Sequence, residues 1–168
     1  HPLLDLVKPS MSKEEARNEF GLNEVSPVFA LLPGSRAGEV KMILPIMLES
    51  ARLIQEKIPQ AKFIISKPPS LDNTIYEKIL KSSLRPRQGG GSLPAGRQPI
   101  QNLEIKIIEA RQYDCLNVAD FVLVASGTAT LETAIMQKPN LVIYKMGLLN
   151  YLLYRPLVRV PFIGMENI

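Results

Sequence analysis

The sequence is poor in residues that stabilise or act through sulfur and imidazole, with one cysteine, Cys115, and one histidine, His1, among 168 residues. A single thiol excludes a disulfide framework and any CxxC zinc site, and it fits a reducing compartment, so a cytosolic location is expected. Also missing is any run of about 18 consecutive apolar residues, the length a membrane helix needs. The opening HPLLDLVKPS has neither the basic region nor the long apolar core of a secretory leader. No span and no leader are expected. GxxxxGK[ST] does not occur, which excludes a P-loop, and neither does GxGxxG. What is present is 46% apolar residues, enough for one ordinary domain with a sizeable core. The chain opens on His1 rather than methionine and stops at GMENI straight after a strand-like stretch, so it reads as a fragment.

The net charge of +4 is local. Residues 83–99, SLRPRQGGGSLPAGRQP, carry Arg85, Arg87 and Arg97 and no acid, which leaves +1 on everything else. The same segment holds four of the ten glycines and a near-repeat, LRPRQ and LPAGRQ, with no apolar period that could pack. It reads as an inserted disordered loop. A nucleic-acid-binding arm would carry more charge with aromatics interleaved, and this segment has no aromatic residue, so nucleic acid is not an expected partner.

Elsewhere, short β-branched apolar runs alternate with segments of helical period. Strands are expected at Val28–Leu32, Lys62–Ser66, Leu103–Ile108, Phe121–Ala125 and Leu141–Tyr144. Val40, Ile43, Leu44, Met47, Ala51 and Ile54 recur at helical spacing in a helix beginning near Glu39, with Pro45 marking a kink or a late start. Further helices are expected at 71–82, 113–118 and 130–137. This βαβα order, with runs too continuously apolar for a one-sided sheet, predicts an α/β fold: a doubly wound, Rossmann-like parallel sheet with helices on both faces. In such sheets ligands bind beyond the carboxyl ends of the strands.

Two strand-to-helix turns carry chemistry. In LLPGSR, Pro33-Gly34 breaks the first strand and sets Ser35 and Arg36 at the sheet edge. A guanidinium there suits a phosphate, which it can grip through two parallel hydrogen bonds. A plain turn, with Arg36 in solvent or paired with Glu39, is the competing reading. In ADFVLVASGTATLETAIMQKP the fourth strand runs into Ser126-Gly127-Thr128 and a short helix stopped by Pro139. Gly127 lets a ligand approach the backbone, and the helix start supplies free N–H groups and a positive dipole end, so a diphosphate would fit. Glu132 lies four residues after Thr128, where capping alone does not explain it. Leu131, Ala134 and Ile135 are expected to form the buried face, while Thr128 and Glu132 share another. A carboxylate at that place can accept hydrogen bonds from the two hydroxyls of a ribose; a solvated helix glutamate is the alternative.

HPLLD, LLPGSRAGEV, ADFVLVASGTATLETAIMQKPNLVIYKM and LLYRPLVRVPFIGMENI, in that order and spacing, resemble the C-terminal half of lipid-A-disaccharide synthases. The resemblance covers nearly all of residues 1–168 apart from the insert, and the combination of LPGSR with SGTATLE is its specific part. It implies one half of a GT-B glycosyltransferase, the UDP-sugar-binding domain. The implied reaction moves 2,3-diacylglucosamine from its UDP carrier to 2,3-diacylglucosamine 1-phosphate, makes the lipid A disaccharide and releases UDP. No cofactor and no metal are implied, in keeping with the lack of a DxD pair or histidine cluster.

Carried over by position, Ser35, Arg36, Ser126, Gly127 and Thr128 would contact the donor phosphates, and Glu132 the ribose. The turn from Glu109 to Gln112, with Ala110 and Arg111 at its centre, is where related enzymes read uracil with backbone groups. Asn167 matches the asparagine of a "PN" pair in which Glu166 replaces the usual proline. The resemblance places the general base in an N-terminal acceptor domain, so the chain alone should bind rather than turn over. The enzyme it implies is cytoplasmic and peripheral on the inner membrane.

The tail GLLNYLLYRPLVRV, with Arg155 and Arg159, reads either as a helix packed on the rest of the enzyme or a homodimer partner, or as a face toward acyl chains and anionic headgroups. Rival functions are a peptidoglycan N-acetylglucosaminyltransferase-like enzyme, a UDP-sugar 2-epimerase, whose usual histidine is missing, and a non-catalytic nucleotide-binding module.

Overall fold

The computed structural model describes residues 6–22, 25–83 and 103–145. Five continuously apolar runs pair into one parallel sheet: β1 Val28–Leu32, β2 Lys62–Lys67, β3 Ile105–Glu109, β4 Phe121–Ala125 and β5 Asn140–Ile143, in the order β3-β2-β1-β4-β5. Five helices accompany them among the described residues: α1 Lys13–Glu19, α2 Ala37–Lys57, α3 Asn73–Ser83, α4 Gln112–Val118 and α5 Thr128–Ile135.

The period of two along each strand sorts side chains between two cores. Ile64, Ala30 and Val122 share one row of the register, and their side chains pack with Ala16 and Phe20 and with Cys115, Leu116 and Val118 of α4. The next row, Ile65, Leu31 and Leu123, faces the other way, against Val40, Ile43, Leu44, Met47 and Leu48 of α2 and Tyr76 of α3. With α1 and α4 on one face and α2 and α3 on the other, the sheet is doubly wound, as its sequence predicts. The chain builds outward from β1 through β2 to β3, then returns to lay β4 on the other side of β1. The strand order therefore reverses between β1 and β4, the place where such sheets open a crevice at their carboxyl ends.

Several boundaries differ from expectation. β2 and β3 extend to Lys67 and Glu109 because the ladder continues, Ser66 opposite Ile108 and Lys67 opposite Glu109; β3 starts at Ile105 and β5 at Asn140. α2 starts at Ala37 and contains Pro45 without a late start. The helix α1 is an addition: Ser12 accepts from the Glu15 backbone N–H while the Glu15 carboxylate accepts from the Ser12 N–H at 2.9 Å, a reciprocal cap on a mostly polar segment.

The buried face of α5 is a correction. Thr130 and Thr133 are the buried residues, whereas Leu131 and Ile135 are half-buried and Ala134 is exposed. Each threonine hydroxyl donates back to its own helix, Thr130 to the Gly127 carbonyl and Thr133 to the Ala129 carbonyl, both at 2.7 Å, so what the core meets is their methyl groups. Ser83, taken as the first residue of the insert, ends α3 instead; the rest of the expected insert, 84–99, the Leu/Tyr-rich tail and Asn167 lie outside the described residues.

Candidate functional site

β1 and β4 are hydrogen-bonded neighbours, with Leu32 opposite Val124, so the turns that follow them emerge side by side at the carboxyl edge. The turn after β1 is built around Gly34, whose φ of 112° is open only to glycine at low cost. A Cβ at Gly34 would also stand 2.6 Å from Glu39 Oε2. Glu39 folds back over the turn, and its Oε2 accepts from the backbone N–H groups of Ser35, at 3.1 Å, and Arg36, at 3.3 Å. The Arg36 guanidinium, 84% exposed, lies 3.4 Å from Glu39 Oε1. The turn thus gathers two N–H groups and a guanidinium around one carboxylate. That is an anion cradle at the start of a 21-residue helix.

After β4, the Ser126 N–H continues the ladder to the Ile143 carbonyl at 3.0 Å, and Gly127 caps α5. Its φ of 158° and ψ of −163° lie in backbone space that is essentially glycine's own, and a Cβ added there would meet nothing within 4 Å. The requirement at Gly127 is therefore backbone shape rather than crowding. The first N–H groups of α5, ahead of the Thr130 N–H that closes on the Gly127 carbonyl, have no partner within the helix.

Glu132, half-buried, is not a solvated residue. Its Oε2 accepts from the Gln112 side-chain amide and its Oε1 from the Tyr113 hydroxyl at 3.0 Å. Burial pushes the Tyr113 phenol above its ordinary pKa, and the hydrogen bond to Glu132 adds to that, so the hydroxyl stays a donor. The turn between β3 and α4 thereby meets α5. Within that turn Ala110 is left-handed, φ 57°, a strained conformation for a residue with a Cβ, and its N–H bonds the Lys67 carbonyl at 2.9 Å. The Arg111 side chain turns away to Glu19 at 2.7 Å and Asp114 at 3.4 Å. Buried Asp114 also accepts from the Ser10 N–H, at 2.7 Å, and hydroxyl, at 2.6 Å, tying the chain ahead of α1 to α4.

Ser35, Arg36, Ser126, Gly127, Thr128 and Glu132 thus all lie at the carboxyl edge on the β1 and β4 connections, with Ala110 and Arg111 on the turn whose next two residues reach Glu132. The pairing of Arg36 with Glu39 is the competing reading of the first turn, and the structure shows it; sequence reasoning missed Glu39 as the acceptor of the Ser35 and Arg36 N–H groups, and Tyr113 as a partner of Glu132. It also missed Lys67, a nearly fully buried cation at the end of β2 that donates to the Leu71 carbonyl at 2.7 Å and pairs with Glu109 at 3.1 Å. A lysine closing the apolar run FIISK was the available signal.

The fold is a doubly wound α/β domain, and two glycine-marked turns with anion-suited groups lie side by side where its strand order reverses. The model of the lipid-A-disaccharide synthetase family matches residues 1–168, and the chain belongs to that family. It is 40% identical to a lipid-A-disaccharide synthase of Syntrophus aciditrophicus and 36% identical to one of Geobacter sulfurreducens, in each case over 100% of this chain and 39% of the relative. An enzyme of the same name from Coxiella burnetii is 35% identical with the same coverage. The chain therefore spans about two-fifths of the length of these relatives. Among solved structures, that of apo OtsA is similar with a TM-score of 0.41 and 15% identity, over 80% of this chain and 35% of that one.

Proposed function

We propose that this chain is the donor-binding half of a GT-B glycosyltransferase, and that the whole protein transfers 2,3-diacylglucosamine from UDP to 2,3-diacylglucosamine 1-phosphate, releasing UDP. The observation that carries the reading is the convergence of three connections, after β1, β3 and β4, on one sheet edge in a chain that belongs to this family over its full extent. In this reading the diphosphate bridges the two glycine-marked turns, held by Ser35, Arg36 and the N–H groups around Ser126, Gly127 and Thr128. The Glu132 carboxylate takes the ribose, and backbone groups at Ala110 and Arg111 take the uracil. Asn167 is assigned to substrate binding. The acceptor and general base are assigned to the rest of the protein, and the whole is placed at the cytoplasmic face of the inner membrane as a peripheral enzyme. No helix among the described residues is long and apolar enough to cross a membrane.

Calorimetric titration with UDP in the absence of magnesium tests the donor site. The 168-residue chain should bind, and Arg36→Ala should weaken UDP by roughly 1.5–3 kcal/mol, the range for hydrogen bonds to a charged group, while leaving uridine unchanged. A folded chain that ignores UDP, or binds only with a divalent ion, contradicts the proposal.

A further inference from the structure

Each oxygen of the Glu132 carboxylate is held by a neutral side-chain donor of α4, Gln112 Nε2 on one and the Tyr113 hydroxyl on the other. A carboxylate has about four lone-pair directions. Two are taken by α4, which leaves two, the number a vicinal diol can fill with its O–H donors. Gln112 and Tyr113 are the first two residues of α4, and that turn is itself pinned by Asp114 to Ser10 and by Arg111 to Glu19. The donors therefore approach Glu132 from a fixed direction. Without them, a half-buried carboxylate in the second turn of α5 can rotate toward the N–H groups of its own helix start, where the dipole favours it.

Building on the ribose reading above, we propose that Gln112 and Tyr113 are positioning residues that hold the Glu132 carboxylate square to the ligand and so set selectivity for a ribonucleotide over a 2′-deoxyribonucleotide. They touch the acid, not the phosphates. Their contribution is confined to the part of the affinity that depends on the 2′-hydroxyl, which distinguishes them from residues that merely support the fold. The raised pKa of Tyr113 is consistent with this, since the phenol remains protonated and donating at neutral pH.

The test compares UDP, 2′-deoxy-UDP and pyrophosphate by calorimetry on the 168-residue chain. The wild type should prefer UDP to its deoxy analogue by roughly tenfold or more, the scale of one hydrogen bond to a charged group. Tyr113→Phe, which removes one oxygen, and Gln112→Leu should each cut that preference by roughly threefold or more, with pyrophosphate binding and the melting temperature unchanged. In a Glu132→Gln background both substitutions should lose their effect, because coupled residues do not act additively. Equal losses for UDP and 2′-deoxy-UDP, or an unaltered preference in both variants, would overturn the positioning role. A wild type that binds UDP and 2′-deoxy-UDP equally instead overturns the ribose assignment of Glu132, and this inference with it.

Discussion

Glu39 is the residue with which a phosphate at the proposed site would compete. Its carboxylate occupies the N–H groups of Ser35 and Arg36 and draws the Arg36 guanidinium inward, which satisfies the start of α2 when no other anion is there. A phosphate gripping the same donors must displace it. Glu39→Ala should therefore lower folding stability by about 0.5–2 kcal/mol, the cost of losing a helix cap, while raising UDP affinity several-fold because the competing anion is gone. Thermal melts and UDP titrations on the same variant check both halves, and a variant with weakened stability and weakened binding would speak against competition. Gly34 and Gly127 act through their backbones: both have positive φ, Gly34 beneath a crowding carboxylate and Gly127 with open space around it.

At the scale of elements, what was legible in the sequence follows from what drives each element. The strands could be read because continuous apolar runs such as VFALL and FVLVA belong to a sheet covered on both faces, and α2 because its apolar stripe spans many turns. The short α1, KEEARNE, offers almost no apolar period, since only Ala16 and the flanking Phe20 enter the core, and its cap was its one signal. The inward face of α5 was unreadable for another reason. Threonines that return their hydroxyls to their own helix pack like apolar residues, so Thr130 and Thr133 took the place that hydropathy assigns to Leu131 and Ile135. The two anion-suited turns were visible as motifs, but the contacts of Glu132 join residues 19 and 20 positions apart in the chain, which no spacing rule reaches. Within α2, Pro45 gives up one helical hydrogen bond and is only half-buried. Pro45→Ala should raise stability by roughly 2 kcal/mol, the interior-proline penalty of about 3 less the entropy that proline removes from the unfolded chain. An unchanged or lowered melting temperature would mean that the ring fills space the helix needs.

For the molecule as a whole, the two cores carry groups that resist ionisation. Burial pushes the Tyr76 phenol from 10.0 to about 12, and burial with Asp114 nearby pushes the Cys115 thiol from 9.0 to about 12. Both are acids whose charged form the fold disfavours. Their contribution is complete below about pH 9 and is lost as the pH rises toward 12. Denaturation midpoints should fall steeply over that window, and Tyr76→Phe combined with Cys115→Ala should flatten the fall. Tyr76→Phe should cost little at neutral pH, because its buried hydroxyl has no hydrogen-bond partner among the described residues. The same thiol pKa makes Cys115 a packing residue rather than a nucleophile.

The central claim is that a uridine nucleotide lies across the β1–β4 reversal with its ribose on Glu132. Its most direct test is the affinity of Glu132→Gln for uridine and for UDP, since the substitution keeps size and helix compatibility while replacing an anionic acceptor by an amide. The ribose is common to both ligands, so both should weaken by the same factor, roughly tenfold or more, with the fold intact. Changes below about 0.5 kcal/mol for both ligands, the scale of an ordinary surface substitution, would contradict the claim and remove Glu132 from the site.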